Sequence, residues 1–441
     1  MNMSKNVSTE SYKGVRDFFP KDQFIQDYIF FVWESTLESF GYEKYNASVL
    51  EPTELYIAKS GEEIVNEQTY NFIDRGERAV TLRPEMTPTV ARMIAGKRRE
   101  LAFPARWFSI PNLFRYERPQ KGRLREHWQL NADIFGVDNI QAEAEIIEIA
   151  YKILRNFGLN DSQFEIQIND VTNLSKILKD AGLNEIQIHQ YKKLLDKKNK
   201  IDDFDDQVKA MFGKPFYPII NPSESVEALL NKLRNRGISN ISFNPNLVRG
   251  FDYYNGIVFE VYSTDPENNR SIFGGGRYDN LTSIFGEESI PAVGFGMGDV
   301  TTKDVLETYG LLPNYEFPAV LSICPLNDAF YDFSAELAQD LRKDGISCVV
   351  DYSGKKIGDQ ISKAIKRGSK FVICVGEDEV SKSKFAVKIL NTNKEKIVSN
   401  NQGLLNLIGP GTEIKGNLVC EGDIRIDGKV EGTVTVGQRL V

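Results

Sequence analysis

The chain has 441 residues, 41% hydrophobic and 11% aromatic, enough to bury several cores in about three domains of roughly 150 residues each. A net charge of -8 excludes a globally basic, polyanion-coating protein, although a local basic face can still bind phosphates on an acidic chain. Cys324, Cys348, Cys374 and Cys420 stand singly with no CxxC pair, and His127 and His189 are the two histidines, so neither a disulfide framework nor a protein-held metal site is expected.

The opening MNMSKNVSTESYKG lacks the apolar core of a leader, and no apolar run of about 18 residues follows, which predicts a cytoplasmic protein without a membrane partner. After GVRDFFP, the stretch DQFIQDYIFFVWESTLESFGY repeats apolar residues at helical spacing until Gly41 stops it. Strand-like pieces follow around Val49 and RAVTLRPE. Between Ala105 and Val137, short strands flank the charged segment ERPQKGRLRE, as an antiparallel hairpin with a basic tip would. AEAEIIEIAYKILRNFG reads as a helix ended by Gly158, and FEIQIND as a strand by alternation. Residues 171–240 carry Lys, Asp, Leu and Ile at helical spacing, which predicts a helical insertion. NLVRGFDYYNGIVFEVY then resumes a strand, followed by the glycine-dense SIFGGGRYDNL and PAVGFGMGDV. From Pro318, AVLSICPL, AFYDFSAELAQDLRKDG, ISCVVDYS, KIGDQISKAIKRG and KFVICVG alternate strand and helix, the pattern of an α/β domain with a mainly parallel sheet. From Gly409, glycine-punctuated alternating pieces suggest the start of a β-solenoid.

Two segments carry chemistry. In FRYERPQKGRLREHWQ, Arg115 and Glu117 lie two residues apart on a strand and so share a face, with Arg118, Lys121, Arg123 and Arg125 on the adjoining loop. A guanidinium held by a strand suits bidentate contact with a phosphate, whereas taken alone such a strand also reads as a solvated face. In LVRGFDYYNG, Arg249 interrupts an apolar strand, where an arginine is costly unless it meets an anion. That anion is either a ligand or a buried partner such as Asp252.

TLRPEMTP, FRYERPQKGRLREHWQLNADIFG, LVRGFDYYNGIVFE and GGGRYDNL, in this order, resemble the signatures of the class II aminoacyl-tRNA synthetases, specifically the histidyl-tRNA synthetase family, over residues 11–408. The resemblance implies ATP, with Mg2+ as its substrate complex, together with histidine and tRNA(His) as partners, and a homodimer formed through the segment from Val49 to Glu54. It places Arg115 and Arg249 on either side of the α-phosphate as catalytic residues, with Glu117 against the adenine. Glu85, Thr87 and Gln129 would hold the α-amino group. Asp133, Tyr253, Tyr254 and Tyr278 would form the imidazole wall, Asp133 standing where many relatives carry glutamate. Arg118, Gln120 and Arg123 would meet the acceptor end of tRNA, and the KKIGDQISKAIKRG stretch would contact phosphates in an anticodon-binding domain.

Thr301 stands where the third motif of the family carries an arginine toward the ATP γ-phosphate, and Lys303 and Arg277 are the cations nearest in sequence. The alternative reading is therefore a non-catalytic, histidine-binding regulatory paralogue of histidine biosynthesis, which generally lacks the anticodon module and parts of the segment around Arg249. The tail GTEIKGNLVCEGDIRIDGKVEGTVTVG resembles the opening of a bactofilin. The expected fold is α+β: a catalytic domain on an antiparallel sheet over 1–315 with a helical insertion at 171–240, an α/β anticodon-binding domain over 316–408, and a short β-rich tail over 409–441.

Overall fold

The computed structural model describes residues 8–60, 68–116, 124–198, 201–213, 216, 218–250, 253–390 and 394–399, and short strand pieces between 406 and 436. Residues 1–313 and 314–441 form two compact units.

In the first unit, α1 (Pro20–Ser39) begins with the fixed φ of Pro20 and buries Ile29, Val32, Trp33 and Leu37, spaced to fall on one face. It ends at Gly41, whose φ of 77° few other residues adopt. There follow β1 (Glu43–Lys44), β2 (Leu50–Pro52), α2 (Thr53–Ser60), β3 (Tyr70–Ile73), β4 (Ala79–Leu82), α3 (Thr87–Lys97), β5 (Ala105–Ser109), β6 (Asn112–Phe114) and the long β7 (Glu126–Phe135). Then come α4 (Gln141–Asn156), β8 (Phe164–Asp170), α5 (Val171–Asp180), α6 (Glu185–Lys197), α7 (Phe204–Phe212), α8 (Glu224–Asn235) and β9 (Ile241–Phe243). The unit closes with β10 (Ile257–Ser263), β11 (Ser271–Arg277), β12 (Ala292–Gly298) and α9 (Asp299–Thr308).

One nine-stranded sheet runs β1-β5-β7-β12-β11-β10-β8-β9, with β6 also on β7. The β1–β5 and β8–β9 pairs are parallel and the pairs between them antiparallel, which bears out the expected antiparallel-rich α+β fold. The strand period of two sorts its residues. On one face Leu130, Ala132 and Ile134 of β7, Val293, Phe295 and Met297 of β12, and Phe259 and Val261 of β10 pack with α1, α4 and α8 in the main core. On the other, Gln129, Asn131 and Asp133 of β7 and Gly294 and Gly296 of β12 line a cavity.

The helical stretch divides in two. α5, α6 and α7 form their own cluster around Leu174, Tyr191, Leu194 and Val208, with Leu247, Val248 and Val258. α8 instead returns Val226, Leu229 and Leu233 to the main core and leads into β9. The insertion proper therefore ends near Ser223, earlier than residue 240. Apolar periodicity identifies an amphipathic helix without saying which core its face meets. Asp170 caps α5 by accepting from the Thr172 and Asn173 amides, and the Ser223 hydroxyl, which caps α8, donates to the same Asp170 carboxylate at 2.9 Å.

The second unit contains β13 (Leu321–Pro325), α10 (Tyr331–Lys343), β14 (Cys348–Val350), α11 (Ile357–Arg367), β15 (Phe371–Val375), α12 (Glu377–Lys382), β16 (Lys384–Ile389) and β17 (Lys394–Ser399). Its sheet order is β14-β13-β15-β16-β17, parallel among the first three and antiparallel after β15. In the tail, Asn406–Ile408 pairs in parallel with Ile424–Ile426, Glu413–Lys415 with Lys429–Glu431, and Leu418–Cys420 with Val434–Val436. Three short strands are thus repeated and stacked in register, as in two coils of a β-solenoid, beginning at Asn406 rather than Gly409.

Candidate active site

The cavity on the open face of the sheet encloses about 410 Å3 including its mouth. Its floor is β7, β11 and β12, where glycine is required by space. A Cβ on Gly294 would lie 1.9 Å from Asp133 Oδ1, one on Gly296 2.9 Å from the Gln129 side chain, and one on Gly274 2.9 Å from Arg249 Nη1. The pattern FGGG and GFGMG therefore clears one face of two neighbouring strands so that side chains from elsewhere can lie across it.

At one end the Tyr278 hydroxyl donates to Asp133, which is 3% exposed. Burial pushes the Asp133 carboxyl up to about 7, with the Tyr278 hydrogen bond opposing in part. The Tyr253, Tyr254 and Tyr278 rings form a wall with centroids 4.7 to 6.5 Å apart. The Tyr253 hydroxyl donates to Glu85 at 3.2 Å, and Thr87, at the start of α3, lines the same side.

At the other end stand two arginines. Arg115 follows β6, extends its pairing through its amide to the Arg125 carbonyl, and donates Nε to the Pro84 carbonyl at 2.9 Å. Arg249 is half-buried, and its Nη1 meets Glu260 Oε1 at 2.7 Å while its buried Nε has no partner. Burial opposes the charge on Arg249, but Glu260 outweighs it and the guanidinium is held above its ordinary value. The anionic partner is thus the half-buried Glu260 on β10, itself fixed by Tyr262 and Ser271. Both guanidinia line the cavity that contains Asp133 and the tyrosines, so a ligand lying across the glycine floor meets carboxylate and phenols first and two cations next.

The structure brings together Glu85, Thr87, Arg115, Gln129, Asp133, Arg249, Tyr253, Tyr254 and Tyr278 in this one cavity. Glu117, Arg118, Gln120 and Arg123 lie outside the described residues, as does Asp252. Arg277 is taken up elsewhere: it meets Glu143 at 2.6 Å, Asp279 at 3.0 Å and the Val137 carbonyl at 3.2 Å, and so serves the fold. Sequence reasoning missed Asn131, which lines the cavity, and Glu260, which holds Arg249. Asn131 carried a usable signal, since it shares the alternation of Gln129 and Asp133. The His127 imidazole is held neutral, its pKa lowered to about 3 by burial and by the charges of Arg115 and then Arg16.

Among the described residues, no three His, Cys, Asp or Glu side chains form a group that would hold a metal ion, and no helix is long and apolar enough to cross a membrane.

Comparison with known proteins accords with this geometry. A family described as histidyl-tRNA synthetase matches residues 14–215 and 216–299, and one described as anticodon binding domain matches 321–404. The chain is 41% identical to a histidine–tRNA ligase of Leptospira biflexa, over 91% of this chain and 97% of that protein. It is 34% identical to one of Thermoplasma volcanium, over 89% and 97%. Among solved structures, apo histidyl-tRNA synthetase of S. aureus superposes with a TM-score of 0.69 at 25% identity, over 89% of this chain and 97% of that one. An ATP phosphoribosyltransferase regulatory subunit/histidyl-tRNA synthetase from Bacillus halodurans shares the fold, with a TM-score of 0.66 at 23% identity over 84% and 99%.

Proposed function

The chain belongs to the histidyl-tRNA synthetase family, and from that premise we propose that it is an ATP-dependent histidine–tRNA ligase that forms histidyl-adenylate and transfers histidine to the 3' end of tRNA(His). The observation that carries this reading is the order of groups across one cavity: a buried carboxyl and three phenols at one end, two fixed guanidinia at the other. Histidine lies with its imidazole on Asp133 and Tyr278 and its α-amino group near Glu85, Thr87 and Gln129. Its carboxylate then attacks the α-phosphorus of ATP, and pyrophosphate leaves.

Arg115 and Arg249 flank the phosphorus, where charge accumulates in the in-line displacement, and because their partners already hold them they need little reorganisation as it grows. Mg2+ arrives with ATP as its substrate complex. A pocket whose buried polar groups demand an imidazole discriminates against apolar amino acids by about 10⁴-fold, since the wrong side chain leaves those groups unpaired.

Glu117 on the adenine, and Arg118, Gln120 and Arg123 on the acceptor end of tRNA, belong to the same reading, as do anticodon contacts by the second unit and a cytoplasmic location. A homodimer is supported by Leu50, Ile57, Phe72 and Ile73, which remain 46%, 47%, 46% and 66% exposed on and beside the small sheet of β2, β3 and β4. The stacked coils of the tail are consistent with its resemblance to a bactofilin, and we assign it an accessory role in assembly.

Thr301 supports a second reading, a regulator that binds histidine without activating it. The two are separated by exchange of labelled pyrophosphate into ATP, measured across all twenty amino acids. Exchange with histidine alone, falling at least about 100-fold in Arg249→Ala, is expected of the ligase. Histidine binding by calorimetry with no exchange for any amino acid establishes the regulator instead.

A further inference from the structure

Thr301 sits in the first turn of α9 and turns its hydroxyl back to the Gly298 carbonyl at 3.2 Å, so it offers no charge to a nucleotide. Two residues before it, Asp299 is 3% exposed and occupied on both oxygens: Oδ1 accepts the Trp128 amide at 3.0 Å and Oδ2 meets Arg16 Nη2 at 2.6 Å. Arg16 is clamped from another side as well, its guanidinium 4.9 Å from the Phe18 ring centroid, and Phe18 packs edge-on against Trp128 at 5.3 Å. This is a costly way to hold a cation, because the Arg16 Nε is buried without a partner.

The segment carrying Arg16 runs beside the start of β7. The Gly14 carbonyl accepts the Arg125 amide at 2.7 Å, and the Tyr12 hydroxyl accepts from Arg125 Nη1 at 3.0 Å. His127, on β7 between these segments, feels the charges of both Arg115 and Arg16. Arg16, Asp299 and Lys303 also line an open cavity of about 580 Å3 including its mouth. Of the two cations nearest Thr301 in sequence, Arg277 is consumed by Glu143 and Asp279. Lys303 is a point charge on a flexible stem, whereas Arg16 is a planar fork already fixed on one edge, with donors left for an anion.

We propose that Arg16 binds the terminal phosphates of ATP, supplying from the N-terminal segment the cation that α9 lacks at Thr301, with Asp299 as its positioning residue. This rests on the ligase reading, and the site takes a nucleoside triphosphate in preference to the monophosphate, because the contact lies beyond the α-phosphate.

The test uses the full chain with Arg16→Met and Arg16→Lys. Steady-state exchange is measured against ATP and against histidine, and calorimetric affinity for ATP and for AMP in the absence of exchange. In Arg16→Met the KM for ATP is expected to rise at least about 10-fold with the KM for histidine unchanged, and the preference for ATP over AMP to shrink by a similar factor. Introducing Thr301→Arg into that variant should restore part of the loss. A purely structural role for the Arg16–Asp299 pair would weaken ATP, AMP and histidine together, and that result, or an unchanged ATP-to-AMP ratio, overturns the proposal. Should Arg16→Met fail to fold, Arg16→Lys carries the same test through the same ratio. Absence of exchange in the unaltered protein defeats the ligase reading itself, while a preference for ATP over AMP that survives in both variants defeats the assignment of Arg16.

Discussion

Asp133 is the residue whose chemistry depends most on its surroundings. Its carboxyl rises from 3.8 to about 7 because burial penalises the charge more than Tyr278 relieves it. The folded, histidine-free protein therefore holds that proton more tightly than the unfolded chain does. The carboxyl stabilises the fold at acid pH, and this contribution is lost as pH climbs from about 4 through about 7. Asp133→Asn removes the titration, so its melting temperature should fall less steeply than that of the native protein between pH 5 and pH 8. Identical slopes by circular dichroism would count against a shifted Asp133. Asp133, Glu85 and the three tyrosines were legible because they sit inside motifs with a fixed order. Glu260 was not, since a glutamate between Phe259 and Val261 reads as the solvent side of an alternating strand until Arg249, eleven residues away, is seen to reach it.

At the level of elements, β11 and β12 explain why the site is open at all. Their glycines leave one face bare while Val293, Phe295 and Met297 anchor the other in the core. Gly294→Ala should leave the core packed but drive a methyl group into Asp133, lowering kcat/KM for histidine at least about 100-fold with a far-UV spectrum unchanged. Normal histidine kinetics in that variant would show that Asp133 lies elsewhere in solution. Element types were legible wherever periodicity was long, as in α1, α4 and the strand–helix alternation of the second unit. Partner choice was not, as α8 shows: its apolar stripe is like those of α5 to α7, but it meets a different core because β9 must reach β8.

For the whole molecule, the two-unit division was visible as a change of pattern near Pro318, and it falls between residues 313 and 314. The tail's first strand at Asn406 was hidden because three residues carry no period. If the tail serves assembly, deleting residues 406–441 should abolish species larger than a dimer while leaving the dimer and its exchange activity intact. Light scattering checks this, and an unchanged mass distribution excludes the assembly role.

The Ser223–Asp170 hydrogen bond has a consequence for how the chain tolerates changes of length. It ties together the two ends of the helical insertion, which leaves and rejoins the sheet domain beside the end of β8, while Val258 of β10 packs against its inner side. A segment whose two ends meet in this way changes length at little cost in loop closure, which grows only slowly with length. It is not dispensable in the same way, because Leu247 and Val248, the residues before Arg249, rest on its inner side. A change in its length is therefore constrained where it shoulders that arginine and Val258.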